Sequence, residues 1–151
     1  MRPVRVSVEV PQPPDVVFDF LDVLANHERF TDHFLRDWHC DGPARGAGAR
    51  ARVTAVSGRR NDVLEMEVVA SERPRRSVER NVSLGGRRVV TGTYSLAASP
   101  GGGTKVEFVS AWERAPWNEQ LAAPIVRLVL RRANEQALRR LAEQLAERVP
   151  R

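Results

Sequence analysis

A chain of 151 residues with 42% hydrophobic and 28% charged content is long enough to bury a core as one soluble domain, expected over residues 1–151. Its single cysteine, Cys40, excludes an intrachain disulfide, and it has no uninterrupted apolar run of the length, about 18 residues, that a membrane span needs. The net charge of +5 comes from 24 basic residues, all but Lys105 arginine, scattered among 19 acids, which argues against the concentrated basic face of a nucleic-acid binder.

Val4, Val6, Val8 and Val10 alternate with Arg5, Ser7 and Glu9, the pattern of a half-buried strand. Pro11, Pro13 and Pro14 end it. Asp15 opens a short helix whose apolar side is Val17, Phe18, Leu21 and Leu24, and Asn26 is placed to cap a second one with Phe30 and Phe34 turned inward. From Trp38 to Glu113 the pattern is six strands. Trp38 and Cys40 alternate with His39 and Asp41. Ala51, Val53 and Ala55 alternate with Arg50, Arg52 and Thr54, and Leu64, Met66 and Val68 with Glu65 and Glu67. Val78, Arg80 and Val82 are read as the inward set of the next strand, before the hairpin signal Gly85-Gly86. Val90, Gly92, Tyr94 and Leu96, then Val106, Phe108, Ser110 and Trp112, complete the series.

The last stretch, Leu121 to Val149, is the one segment that reads as a long helix, regular from about Pro124 with a looser turn before it. Leu130, Asn134, Ala137, Leu138, Leu141 and Leu145 fall on one side of it, and Arg132, Glu135, Arg139 and Glu143 on the other. Between Leu121 and Leu130 the only charge is Arg127, so this half is expected to be covered on more than one side or to roof something apolar. The predicted class is α+β: an antiparallel sheet of about seven strands with one dry face covered by the final helix.

This order of elements resembles the helix-grip fold of the START/Bet v 1-like (SRPBCC) superfamily, and within it the bacterial polyketide cyclase/dehydrase and lipid-transport group. The resemblance is carried by VSVEVPQPPDVVFDFLDVLANHERF, by the glycine-bearing DGPARGAGARARV, and by the closing helix from Pro124 through Leu145. It implies a sheet curled around the C-terminal helix, with an apolar cavity between them. Members include carriers, receptors and cyclases, so the fold leaves the function open.

Candidate cavity residues are Phe34, Trp38, Met66, Arg80, Tyr94, Phe108, Trp112, Ile125 and Val129. Two are candidate catalytic groups. Arg80, if inward, would anchor a carboxylate or carbonyl, because a buried guanidinium must be paired; the bland alternatives are an arginine reaching outward or a register off by one. Tyr94, the only tyrosine, would orient a substrate oxygen or donate a proton, or is core filler. His27, His33 and His39 lack metal-ligand spacing, and no metal or other cofactor is expected. No GxGxxG, Walker or GxSxG motif is present, Cys40 is expected to be a buried inert thiol, and Glu65 and Glu67 share the wet face.

Three functions remain open on these residues. The first is binding of a small hydrophobic molecule such as a polyketide, lipid or isoprenoid. The second is a polyketide cyclase or dehydratase using the same cavity, in which preorganisation needs few catalytic groups. The third is a ligand-free interaction or chaperone-like module. A reducing, cytoplasmic location is expected from the lone cysteine and the lack of a visible signal peptide. Oligomeric state, ligand and pathway are not specified by the sequence.

Overall fold

The computed structural model describes residues 1–148. Its strands are β1 (Val4–Val10), β2 (Leu35–Asp41), β3 (Arg50–Ser57), β4 (Arg60–Glu72), β5 (Arg76–Ser83), β6 (Arg88–Ala98) and β7 (Thr104–Arg114). The helices are α1 (Pro14–Asp22), α2 (His27–Thr31), α3 (Trp117–Leu121) and α4 (Ala123–Arg148). All seven strands form one antiparallel sheet in the order β1-β7-β6-β5-β4-β3-β2. The sheet is a meander from β2 to β7, and β1 returns to pair with the last strand. Helices α1 and α2 are the excursion that carries the chain from one edge of the sheet to the other.

The alternating valines of β1 produce what their period demands: Val4, Val6 and Val10 are buried while Arg5 and Ser7 are exposed. Pro14 starts α1, where a missing N–H costs nothing, and Phe18 and Leu21 enter the core. On α4 the buried residues are Asn134, Ala137, Leu138, Leu141, Gln144 and Leu145. Leu141 and Leu145 are fully buried against Phe18, Phe30 and Val106 in the main core, and each such leucine contributes about 1.5–3 kcal/mol of transfer free energy. A second cluster lies under β2–β4, around Trp38, Ala51, Val53, Met66 and Val68.

The sequence pattern and the structure part at three places. In β5 the inward residues are Ser77, Glu79, Asn81 and Ser83, not Val78, Arg80 and Val82. Arg80 is on the convex face, half exposed, with its guanidinium 3.2 Å from the Glu113 carboxylate. In β2 the pairing with β3 shifts register between Arg36 and His39, and Asp37 takes a positive φ of 55°. That irregularity brings Trp38 to the same buried side as Leu35. Cys40 lies opposite the buried Ala51 but is exposed rather than buried, because β2 is an edge strand of the sheet. The first half of α4 is covered on one side only: Ile125, Leu128 and Val129 are exposed, with Trp117 and Leu121 of α3 beside them. Elsewhere the pattern holds: α4 begins at Ala123 and is preceded by a separate turn of helix, as the proline predicts, and Val149, its expected last residue, lies outside the described residues.

Candidate functional site

The site is built by the concave face of β5, β6 and β7. Their registers place inward residues in rows that cross the sheet. One row runs Val68, Glu79, Gly92, Ser110, Val4. A second, one pleat repeat away, runs Ser77, Tyr94, Phe108, Val6. A third runs Met66, Asn81, Val90, Trp112. Glu79 and Ser110 are therefore two strands apart, about 10 Å between backbones. Asn134 of α4 closes the row from above, its Nδ2 donating to Ser110 Oγ at 3.1 Å. Leu130 and Val126 stand one and two turns before Asn134, so they share its side of the helix and are half-buried over the sheet. The concave interior thus carries Glu79, Asn81, Ser110 and Asn134 among Tyr94, Phe108 and Trp112.

Gly92 makes this packing feasible. A Cβ there would come to 2.7 Å from Phe108 Cζ and 3.0 Å from Glu79 Cγ, so the missing side chain is the space that ring and stem occupy. Tyr94 stacks tilted on Phe108, with ring centroids 4.4 Å apart, and meets His27 edge-on at 5.6 Å.

Glu79 is buried, and its carboxylate accepts one hydrogen bond from Asn81 Nδ2 at 3.0 Å. Desolvation raises its pKa to about 7, against the smaller opposing effect of that hydrogen bond. The Asn81 amide also donates to the Val90 carbonyl at 3.3 Å, so two acceptors fix which end is nitrogen. Its Oδ1 is buried with no hydrogen-bond partner among the described residues. An unpaired buried carbonyl is unfavourable, and a ligand or water donor is the usual remedy. Burial, then the nearby Glu79 charge, push the Tyr94 hydroxyl well above its ordinary pKa, so it stays a protonated donor.

The histidines are structural in position. His27 Nε2–H donates to the Leu21 carbonyl at 2.7 Å, and burial lowers the ring's pKa to about 4, keeping it neutral. His33 ties the turn after α2 to α4, with Nε2–H donating to Ala133 O at 2.9 Å and Nδ1 accepting from Arg140 at 2.9 Å. Cys40 is held as a thiol, its pKa raised by partial burial and then by Glu28. Among the described residues no group of three His, Cys, Asp or Glu side chains is placed to hold a metal ion, and no helix is long and apolar enough to cross a membrane.

Of the residues singled out from sequence, Trp38, Met66 and Tyr94 are buried on the concave side, and Phe34, Phe108 and Trp112 are half-buried. Arg80, Ile125 and Val129 are not brought to that side. Arg80 instead borders a groove of about 400 Å³ on the convex face, with His39, Arg50, Arg52, Glu65 and Glu67. That groove is shallow and lined by charges of both signs, and we do not assign the site to it. Glu79, Asn81, Ser110 and Asn134 were missed by the sequence reading. One signal pointed to the first two: Arg76 and Arg80 share a face of β5, whereas the other face carries the single charge of Glu79. Two arginines are harder to bury than one glutamate.

A sheet curled against a long C-terminal helix, entered through two short helices, defines a helix-grip protein. The family model for polyketide cyclase/dehydrase and lipid transport matches residues 1–146, and the chain belongs to that family. Among solved structures, the Zhui aromatase/cyclase from Streptomyces sp. R1128 matches with a TM-score of 0.78 at 13% identity, over 98% of this chain and 95% of that one. TTHA0849 from Thermus thermophilus matches with a TM-score of 0.76 at 21% identity, over 98% and 99% of the two chains. The structure of Ara h 8.0201 matches with a TM-score of 0.61 at 15% identity, over 93% and 98%. At these identities the likeness is one of fold. No curated protein matches the chain.

Proposed function

We propose that this protein binds a small, largely apolar molecule carrying oxygen functions between the concave face of β5–β7 and the first half of α4. The observation that carries the reading is the pair of interior groups on β5: a buried Glu79 carboxyl with one partner, beside a buried Asn81 carbonyl with none among the described residues. A purely structural core has no use for two such groups on one strand face. Tyr94, Phe108 and Trp112 supply the walls, and Trp38, Met66 and Phe34 extend the apolar lining under β2–β4. Native mass spectrometry of the purified protein tests this. The expected result is a retained small molecule, or uptake of an apolar probe such as anilinonaphthalene sulfonate that Trp112→Ala and Glu79→Gln each weaken. Neither retention nor uptake overturns it.

A second reading, a cyclase or dehydratase acting in the same space, is favoured by one feature. Glu79 has a pKa of about 7, so carboxylate and acid are both populated near neutrality, as general acid–base chemistry requires. The carboxylate would take a proton from the carbon between two substrate carbonyls, while the Tyr94 hydroxyl donates a hydrogen bond to one carbonyl oxygen. The enolate carbon would attack a further carbonyl, and the proton on Glu79 would return to the alkoxide formed. Turnover of a poly-β-carbonyl substrate that Glu79→Gln abolishes while binding persists separates this reading from simple carriage.

A further inference from the structure

We propose that the outward side of α3 and the first half of α4 docks onto an anionic lipid surface. Trp117, Leu121 and Ile125 are 75%, 77% and 67% exposed, and Leu128 and Val129 are about half exposed. Leu121, Ile125 and Leu128 follow one another at helical spacing, and only Ala122 separates the two helices. The result is a continuous apolar strip; elsewhere among the described residues the exposed large apolar side chains are Val63 and Val69.

The rim of the strip identifies its partner. Arg127 donates to the carbonyls of Arg2 and Pro3, and Arg131 to that of Arg5. Arg114 donates to the Gly86 carbonyl and Arg87 to that of Leu84. Arg132 continues the strip one turn beyond Leu128. None of these five arginines is in an ion pair among the described residues; four are held by neutral carbonyls, which supply no compensating negative charge. The nearby acids are engaged elsewhere: Glu119 is bound by Arg88, and Glu113 by Arg80 and Thr91. Glu135, a turn past Arg131, offsets part of one charge. An exposed tryptophan and aliphatic strip with uncompensated arginines at its edge suits the interface of an anionic bilayer. A second copy of this chain fits poorly, because a two-fold contact through the strip would set arginine rim against arginine rim. Val126 and Leu130, on the other side of the same helix, face the sheet interior, so docking would bring that interior next to the lipid. The proposal does not depend on what the interior binds.

The test is co-sedimentation of the full chain with vesicles of phosphatidylcholine containing roughly one-third phosphatidylglycerol, against phosphatidylcholine alone. The expected result is association with the anionic vesicles at least about tenfold stronger than with the neutral ones, and released by about 1 M salt. Leu121→Glu with Ile125→Glu should abolish it without changing the melting temperature, since both side chains are exposed. Arg132→Glu should weaken it several-fold. Failure to sediment, equal binding to neutral vesicles, or binding undiminished in the double variant overturns the proposal. So does a solution dimer, or capture of a soluble acidic protein, that the double variant disrupts while vesicles are ignored.

Discussion

Glu79 and Asn81 project from the same side of β5, and the amide of one donates to the carboxylate of the other at 3.0 Å inside the fold. That relationship ties stability to pH. The folded-state pKa of Glu79 is raised to about 7 from an ordinary 4.5. Its contribution is therefore fully present below pH 4.5 and is lost as pH rises through 7, because the folded state must then bury a charge. The loss amounts to about 3 kcal/mol once ionisation is complete. Glu79→Gln, a neutral mimic of the acid form, should be more stable than wild type at pH 8 by up to about that amount and equal to it near pH 4. His27 acts on the opposite limb: with its pKa lowered to about 4, its contribution is present above 6.5 and lost as pH falls through 4. It is common to both proteins and cancels in the comparison. Urea denaturation across pH measures the difference, and a gap that does not vary with pH would refute the buried ionisation.

Arg80 and Glu113 lie half exposed on the convex face. A pair of that kind contributes about 0–1 kcal/mol. Arg80→Met should therefore shift stability by less than about 1 kcal/mol and leave uptake of an apolar probe unchanged. Calorimetry with a probe titration checks both, and a large loss of binding would return Arg80 to the interior.

Gly92 is the next point of leverage. A methyl group there must displace the Phe108 ring, whose Cζ would be 2.7 Å away, because the Glu79 stem closes the other side. Overpacking of this kind costs about 1–3 kcal/mol, and the low end is expected because Phe108 is half-buried rather than fully enclosed. It would swing into the proposed binding space, so Gly92→Ala should weaken probe uptake more than it weakens the fold. Gly92→Ala with Phe108→Leu should recover part of both. A single variant that binds normally would show that the ring does not border the space.

Most of the architecture was legible because period and punctuation agree. Valine alternation in β1, the prolines after it, Gly85-Gly86 and the leucines of α4 each specify local structure that the tertiary fold keeps. The site was half legible. Tyr94, Phe108 and Trp112 follow from strands whose two faces differ plainly. β5 misleads, because the face it buries is the all-polar one, Ser77, Glu79, Asn81 and Ser83, while its valines share the other face with Arg76 and Arg80; reading Val78 and Val82 as core inverted every side chain on the strand. Pairing settles that register, with Glu79 opposite Gly92 and Asn81 opposite Val90, and pairing is a non-local fact. The exposure of Cys40 is also a non-local fact: it lies opposite the buried Ala51, and only the strand order shows that β2 is an edge. The apolar first half of α4 was visible, but not which side of it faces outward.

The contact between Asn134 and Ser110 offers a last test, because it joins the long helix to the row that holds Glu79. Both residues are buried, and the 3.1 Å hydrogen bond from Nδ2 to Oγ ties a polar side chain of the helix directly to the concave sheet. Asn134→Leu removes the donor and strands the serine hydroxyl; Ser110→Ala strands the amide. Each single change should cost about 1–3 kcal/mol, the penalty for an unsatisfied buried group. The double variant leaves neither group orphaned, and its cost should fall short of the sum by about 1 kcal/mol or more. Strict additivity in a urea-denaturation cycle would mean that water already serves both groups, and that the helix is seated without help from this contact. A measured coupling, together with probe uptake reduced in the double variant, would instead place Asn134 and Ser110 at the edge of the space that Glu79 and Asn81 face.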